Sequence, residues 1–120
     1  TDLTNLNFHH NGLTGSLPSE IGFWTNLEWF YLGLNSLTGS LPSEIGLWTN
    51  LEGFFVFLNL LTGTIPATIA NWKWIVKAVF YFNNFSGSMP NGICEFITGG
   101  DGLQADCDLE VTCSCCTFCW

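Results

Sequence analysis

One phrase of this chain is written twice. LTGSLPSEIGFWTNLE at 13–28 returns as LTGSLPSEIGLWTNLE at 37–52, with Phe23 against Leu47 the only change and an offset of 24 residues. A fixed period of this size points to a repeat architecture, in which one supersecondary unit stacks on the next. Asparagine pins the frame: Asn11, Asn35, Asn59 and Asn83 stand 24 residues apart. Two residues after each comes Leu13, Leu37, Leu61 or Phe85. Thr14-Gly15, Thr38-Gly39, Thr62-Gly63 and Ser86-Gly87 follow, and then Leu17-Pro18, Leu41-Pro42, Ile65-Pro66 and Met89-Pro90.

Ahead of each asparagine lies a short alternating apolar pair: Leu6 and Phe8, Phe30 and Leu32, Phe54 and Val56, Ala78 and Phe80. Alternation of that kind is a strand signal. A turn with Asn and Gly follows, then Pro, then an S-E-I-G type segment too short for a stable free helix. No single unit buries its apolar side alone. Stacking about four of them, at 3–26, 27–50, 51–74 and 75–97, closes a continuous core under one parallel sheet, with strands ~4.8 Å apart. Asn11, Asn35, Asn59 and Asn83 are then expected to form a ladder that satisfies backbone groups where strand pairing ends. Trp24, Trp48 and Trp72 share one repeat position and read as a stacked core layer.

Charge is scarce. Lys73 and Lys77 are the only basic residues against ten acidic ones, for a net charge of −8. That balance argues against nucleic acid and anionic membrane surfaces, which need a basic footprint. No apolar run approaches the ~18–20 residues of a spanning helix, so this segment is not expected to insert into a membrane. Six cysteines, Cys94, Cys107, Cys113, Cys115, Cys116 and Cys119, crowd the last 27 residues. An even count at one end reads as a disulfide-stapled cap over 98–120, made in an oxidising, extracellular compartment. Six cysteines permit ~15 pairings, and the spacing does not choose among them. The competing reading is zinc, but Cys116-Thr-Phe-Cys119 is a lone CxxC and structural zinc sites usually pair two such motifs. The chain opens on Thr1 without Met or signal peptide, as a mature product, a fragment or the ordered part of something longer does.

The pattern L-x-L-x-x-N-x-L-T-G-x-[LI]-P-x-x-I over residues 3 to about 97 resembles the plant-specific class of leucine-rich repeat. The tail LQADCDLEVTCSCCTFCW is similar to the cysteine-rich C-terminal cap of leucine-rich repeat proteins from diatoms and related algae. The resemblance implies an α/β solenoid: a repeat body at 1–97 with a concave parallel sheet, short 3-10 segments on the convex face, and the cap. It implies binding and no catalysis; the residues themselves give no reason to expect a cofactor or a metal.

If the apolar pairs point inward, the residues between and just after them point outward. They are Asn5, Asn7, His9 and His10, then Trp29, Tyr31, Gly33 and Leu34, then Gly53, Phe55, Phe57 and Leu58, then Lys77, Val79, Tyr81 and Phe82. Trp29, Tyr31, Phe55, Phe57, Tyr81 and Phe82 would form an exposed aromatic patch larger than a monomer usually tolerates. The opposite phase would bury Asn7 and expose the regular Leu/Phe series. Solenoids also need polar end caps, and Thr1-Asp2 lead straight into Leu3, Leu6 and Phe8. Either an N-terminal cap was lost or another molecule supplies it. Both features point first to other copies of the chain as partners, through the open end or the aromatic face, in a filament or other homo-oligomer. The alternative is a recognition module, receptor-like or inhibitor-like, binding a peptide, protein or glycan. Lys77 is the only charged residue of the outward set, and recognition surfaces usually mix charges for specificity, which favours assembly.

Weaker signals remain. Asn84-Phe85-Ser86 is a glycosylation sequon, and Asn84 should face solvent. The T-x-S/T ranks (Thr14/Ser16 to Ser86/Ser88) could order water as an ice-binding ladder, but they belong to the ordinary repeat motif. Glu20 with Glu44 and Glu28 with Glu52 are carboxylate pairs copied by the repeat, with no cleft implied. His9-His10 lack a further metal ligand in their coil.

Overall fold

The computed structural model of the chain describes residues 3–97, 102–107 and 111–119. Thr1 and Asp2, and positions 98–101, 108–110 and 120 of the expected cap, lie outside the described residues. One strand of three residues opens each coil: β1 (Asn5–Asn7), β3 (Trp29–Tyr31), β5 (Gly53–Phe55) and β7 (Lys77–Val79). They pair in parallel one period apart, so that Leu6, Phe30, Phe54 and Ala78 lie side by side. This is the stacked parallel sheet that the period predicts. Its inward phase is the expected one: Phe30, Leu32, Phe54, Val56, Ala78 and Phe80 are buried. Phe8 remains half-exposed, because it sits in the first coil with a neighbour on one side only.

Pro18, Pro42, Pro66 and Pro90 each open a five-residue 3-10 segment on the convex side: Ser19–Phe23, Ser43–Leu47, Ala67–Asn71 and Asn91–Glu95. Each proline carbonyl accepts the first bond of its segment, as in Ile45 N–H to Pro42 O at 3.2 Å. Proline suits this place because its fixed φ starts a turn and its missing N–H is not needed there. Trp48 and Trp72 follow two of these segments and are wholly buried. Their indole N–H groups donate to Ile21 O and Ile45 O in the coil before, both at 2.9 Å. Their rings pack on Phe30 (4.8 Å between centroids) and Phe54 (4.9 Å). Each tryptophan thus welds a convex turn to the sheet and to the previous coil.

The segments after the asparagine bend depart from the expected turn. They form β2 (Thr14–Ser16), β4 (Ser36–Thr38), β6 (Thr62–Thr64) and β8 (Asn84–Ser86), which pair in parallel as two small ladders, β2 with β4 and β6 with β8. Leu37 and Phe85 are buried at the centres of β4 and β8, while the flanking Ser36, Thr38, Asn84 and Ser86 face water. Such strands have no long apolar alternation to betray them. They exist because stacking brings Leu13 O to Ser36 N–H and Leu61 O to Asn84 N–H, both at 2.8 Å.

Between the sheets each coil bends at an asparagine. Asn59 Nδ2 donates to Val56 O in its own coil (3.0 Å) and to Leu32 O in the coil before (2.9 Å), while its Oδ1 accepts from Leu37 N–H (3.0 Å). Asn83 repeats this set one coil on, and Asn35 one coil back. The exposed Asn11 side chain donates to His9 O at 3.2 Å, and its backbone N–H donates to Asn35 Oδ1 at 2.9 Å. The residue before each asparagine is left-handed: His10, Leu34, Leu58 and Phe82 have φ of 57°, 59°, 56° and 57°. Left-handed backbone is costly for side chains with Cβ, by ~1–2 kcal/mol. The asparagine bonds that close the bend over-determine it.

The cap continues the sheet. β9 (Leu103–Ala105) pairs with β7, and β10 (Phe118–Cys119) pairs with β9, both in parallel. Asp106 Oδ2 accepts from Asn83 N–H at 3.3 Å. The six cysteines form Cys94–Cys115, Cys107–Cys119 and Cys113–Cys116. The bonded CxxC is therefore the one at 113–116, while Cys119 reaches back across the β9–β10 connection. Among the described residues, no three His, Cys, Asp or Glu side chains are grouped to hold a metal. No helix among them is long and apolar enough to cross a membrane.

Candidate functional site

The concave sheet carries a groove of about 420 Å3 lined by Asn7, His9, Tyr31, Phe55, Phe57, Lys77, Val79, Tyr81 and Gln104. Successive strands supply one or two side chains each, because alternate residues of a strand share a face. Trp29, Tyr31 and Phe55 are nearly parallel: Tyr31 and Phe55 lie 4.7 Å apart at 9°, and Trp29 and Tyr31 6.0 Å apart at 6°. Phe57 packs on Tyr81 at 5.3 Å and on His9 at 5.2 Å.

The aromatic patch differs from expectation in one physical respect. It covers itself. Trp29, Tyr31, Phe55, Phe57 and Tyr81 are each half-buried. Gly33 and Gly53, expected on the outer surface, are buried beneath these rings. A Cβ on Gly53 would stand 2.2 Å from Trp29 Cε3, and one on Gly33 would stand 2.7 Å from His9 Cε1 and 2.9 Å from Phe57 Cε1. The two glycines are notches into which rings of neighbouring coils lean. Val79 also points to this face and is buried. The sixth aromatic, Phe82, does not join the floor. It occupies the left-handed bend, about half-exposed, edge-on to Tyr81 at 5.1 Å. With Leu34 and Leu58 at the same place in their coils, it belongs to an apolar lip.

Lys77 is half-buried, and its ammonium group has no bond to another described residue. His9 and His10 diverge. His9 lies over Gly33 with its Nδ1 buried and unpaired among the described residues, and His10 sits at the bend. Glu20 and Glu44 lie on the convex side, where they line a separate depression with Phe23 and Leu47. Asn84 is exposed on β8. Gln104 escaped the repeat reading. The step from Ala78 to its partner Leu103 is 25 residues, so the 24-residue frame does not reach it.

Residues 2–24 and 26–48 match the family model described as Leucine Rich Repeat. The fold is that of a leucine-rich repeat solenoid. No curated protein matches it in sequence. Among solved structures, the solenoid is similar to the plant peptide hormone receptor RGFR1 in complex with RGF2, at 29% identity over 88% of this chain, with a TM-score of 0.80. A TDR receptor is 36% identical over 88% of it, with a TM-score of 0.78. The BIR3–SERK2 complex from Arabidopsis thaliana is 27% identical over 98%, with a TM-score of 0.69. The chain spans 17%, 18% and 57% of the lengths of those three chains. None of these structures supports the likeness of the tail to algal caps. The solenoid's fold is of a kind that typically binds without catalysing, and its three disulfides fit an extracellular setting.

Proposed function

We propose that the chain is an extracellular, non-catalytic recognition module that binds an extended peptide or protein segment along its concave sheet. The observation that carries this reading is the groove: half-buried aromatic rings, already packed on glycine notches, bordered by an apolar lip. Rigid aromatic surface lowers the ordering cost of binding, and aromatic side chains dominate interface energetics. The similar plant receptor RGFR1 is a peptide hormone receptor, which supports a peptide as the ligand class. Weighing the scarcity of charge on the face favours assembly, but the likeness to peptide receptors favours recognition more.

The test is selection from a displayed peptide library, followed by binding to Tyr31→Ser, Phe57→Ser and Tyr81→Ser. Each substitution should weaken the selected peptides by about tenfold or more. A library that enriches nothing on the folded protein, or peptides indifferent to all three substitutions, would count against the groove.

A second reading rests on the flank of the first coil. There Leu6, Phe8, Leu17, Ile21 and Trp24 help to line an apolar depression of about 340 Å3. A second copy stacked end-on would cover it and extend the solenoid. Sedimentation of the wild type against Phe8→Ser checks this. Self-association that Phe8→Ser abolishes supports it, and a monomer at high concentration refutes it.

A further inference from the structure

Lys77 is the one Lys, Arg, Asp or Glu among the described residues that line the groove. It opens β7, where register places Gly53 beside it in β5. On the other side Gly102 immediately precedes β9, its carbonyl accepting from Ala78 N–H at 2.7 Å. Lys77 therefore stands between two positions without side chains, in a protein with ten acidic residues, and still pairs with none of those described. Its three N–H donors are therefore open to an anion brought by a ligand. Apart from Val79, its other neighbours in the groove are aromatic or amide-bearing, and no Asp or Glu among the described residues lines the site.

Resting on the peptide-groove reading above, we propose that Lys77 selects the ligand's charge: the groove takes a peptide carboxylate over Lys77, with apolar or aromatic side chains beside it among Tyr31, Phe55, Phe57 and Tyr81. The net charge of −8 opposes any anion at long range. Screening limits that field to ~8 Å at physiological ionic strength, so the groups lining the groove decide the sign of the ligand. A lysine presents three rotatable donors and suits a single carboxylate. The carboxylate has two sources, an Asp or Glu side chain or a free C-terminus, and both offer the same chemistry.

The experiment selects from a random peptide library with free C-termini on the wild type and, separately, on Lys77→Glu. Wild type should enrich peptides in which an acidic residue or the terminus neighbours aromatic or aliphatic residues, and Lys77→Glu should enrich basic ones. For wild-type-selected peptides, Lys77→Met should weaken binding by about tenfold or more, with Lys77→Arg retaining most of it. Amidating the C-terminus or replacing Asp with Asn should reproduce that loss in one arm or the other. Selected peptides that carry no acid, or that bind Lys77→Met as well as wild type, overturn the inference and leave the groove standing. Failure to enrich any peptide on either protein overturns the groove reading and this one with it.

Discussion

Asn59→Ala should cost far more than truncation of an exposed polar side chain of the same solenoid. Asn59 is 6% exposed. Its Oδ1 is the acceptor for Leu37 N–H, and Leu37 is itself buried. Its two good donor bonds go to Leu32 O and Val56 O, which keep Asn35 Nδ2 and Asn83 Nδ2 respectively after the change. One buried N–H is therefore orphaned outright and two carbonyls lose one partner of two. An orphaned buried donor costs roughly 1–3 kcal/mol and each lost bond about 0.5–1.5 kcal/mol, for a total of about 3 kcal/mol. Asn11→Ala is the internal control. It removes one exposed 3.2 Å bond and should cost about 0.5 kcal/mol or less. With an m-value of roughly 2 kcal/mol/M, Asn59→Ala moves the urea midpoint down by about 1.5 M, and Asn11→Ala barely moves it. The measurement is urea unfolding with disulfides intact, followed by tryptophan fluorescence and far-UV circular dichroism together, so that coincidence of the two tests two-state behaviour. Equal losses for the two substitutions, or a loss under about 1 kcal/mol for Asn59→Ala, would refute the account of the ladder as a set of obligatory bonds.

Gly53→Ala forces the Trp29 ring off its notch and should destabilise by about 1–3 kcal/mol, with a changed near-UV circular dichroism spectrum; an unchanged spectrum would show that the ring does not rest there. Leu58→Val puts a β-branched residue at φ 56° and should cost about 1–2 kcal/mol, whereas Leu60→Val, exposed and outside the left-handed set, stays within about 0.5 kcal/mol; thermal melts compare the pair. Replacing both Cys94 and Cys115 by Ala opens a loop of separation 21 and should lower stability by about 3 kcal/mol in denaturant, and a smaller loss than about 1 kcal/mol would mean the cap is held by its strands alone. Asn84 is expected to carry glycan when the protein is secreted from eukaryotic cells, and a mass unaltered by glycosidase treatment argues otherwise.

Much of this molecule is legible along its chain, because each coil meets the same demands. Leu6, Phe30, Phe54 and Ala78 recur at the interval of the stack, so the inward phase of the sheet, the Pro-initiated convex turns and the parallel pairing all follow from one period. The groove was half legible. Tyr31, Phe55, Phe57, Lys77 and Tyr81 are placed on one face by alternation alone. Their self-burial was not, since it depends on which neighbour's ring leans over Gly33 and Gly53, a matter of rotamers chosen between coils.

The sequence by itself determined the architecture, since repetition states a local rule and stacking has only to satisfy it between nearest neighbours. Tertiary structure alone decided what happens where repetition stops or where distant atoms choose partners. The small ladders of β2 with β4 and β6 with β8 appear only when stacking joins pairs such as Leu13 O and Ser36 N–H. The pairing of six cysteines follows from where β9 and β10 join the sheet. Gln104 enters the groove by a step one residue longer than the period. Lys77 gains its place there too: in the chain it is one of two basic residues, and in the fold it stands on the groove between two glycines, with no ion pair to a described residue.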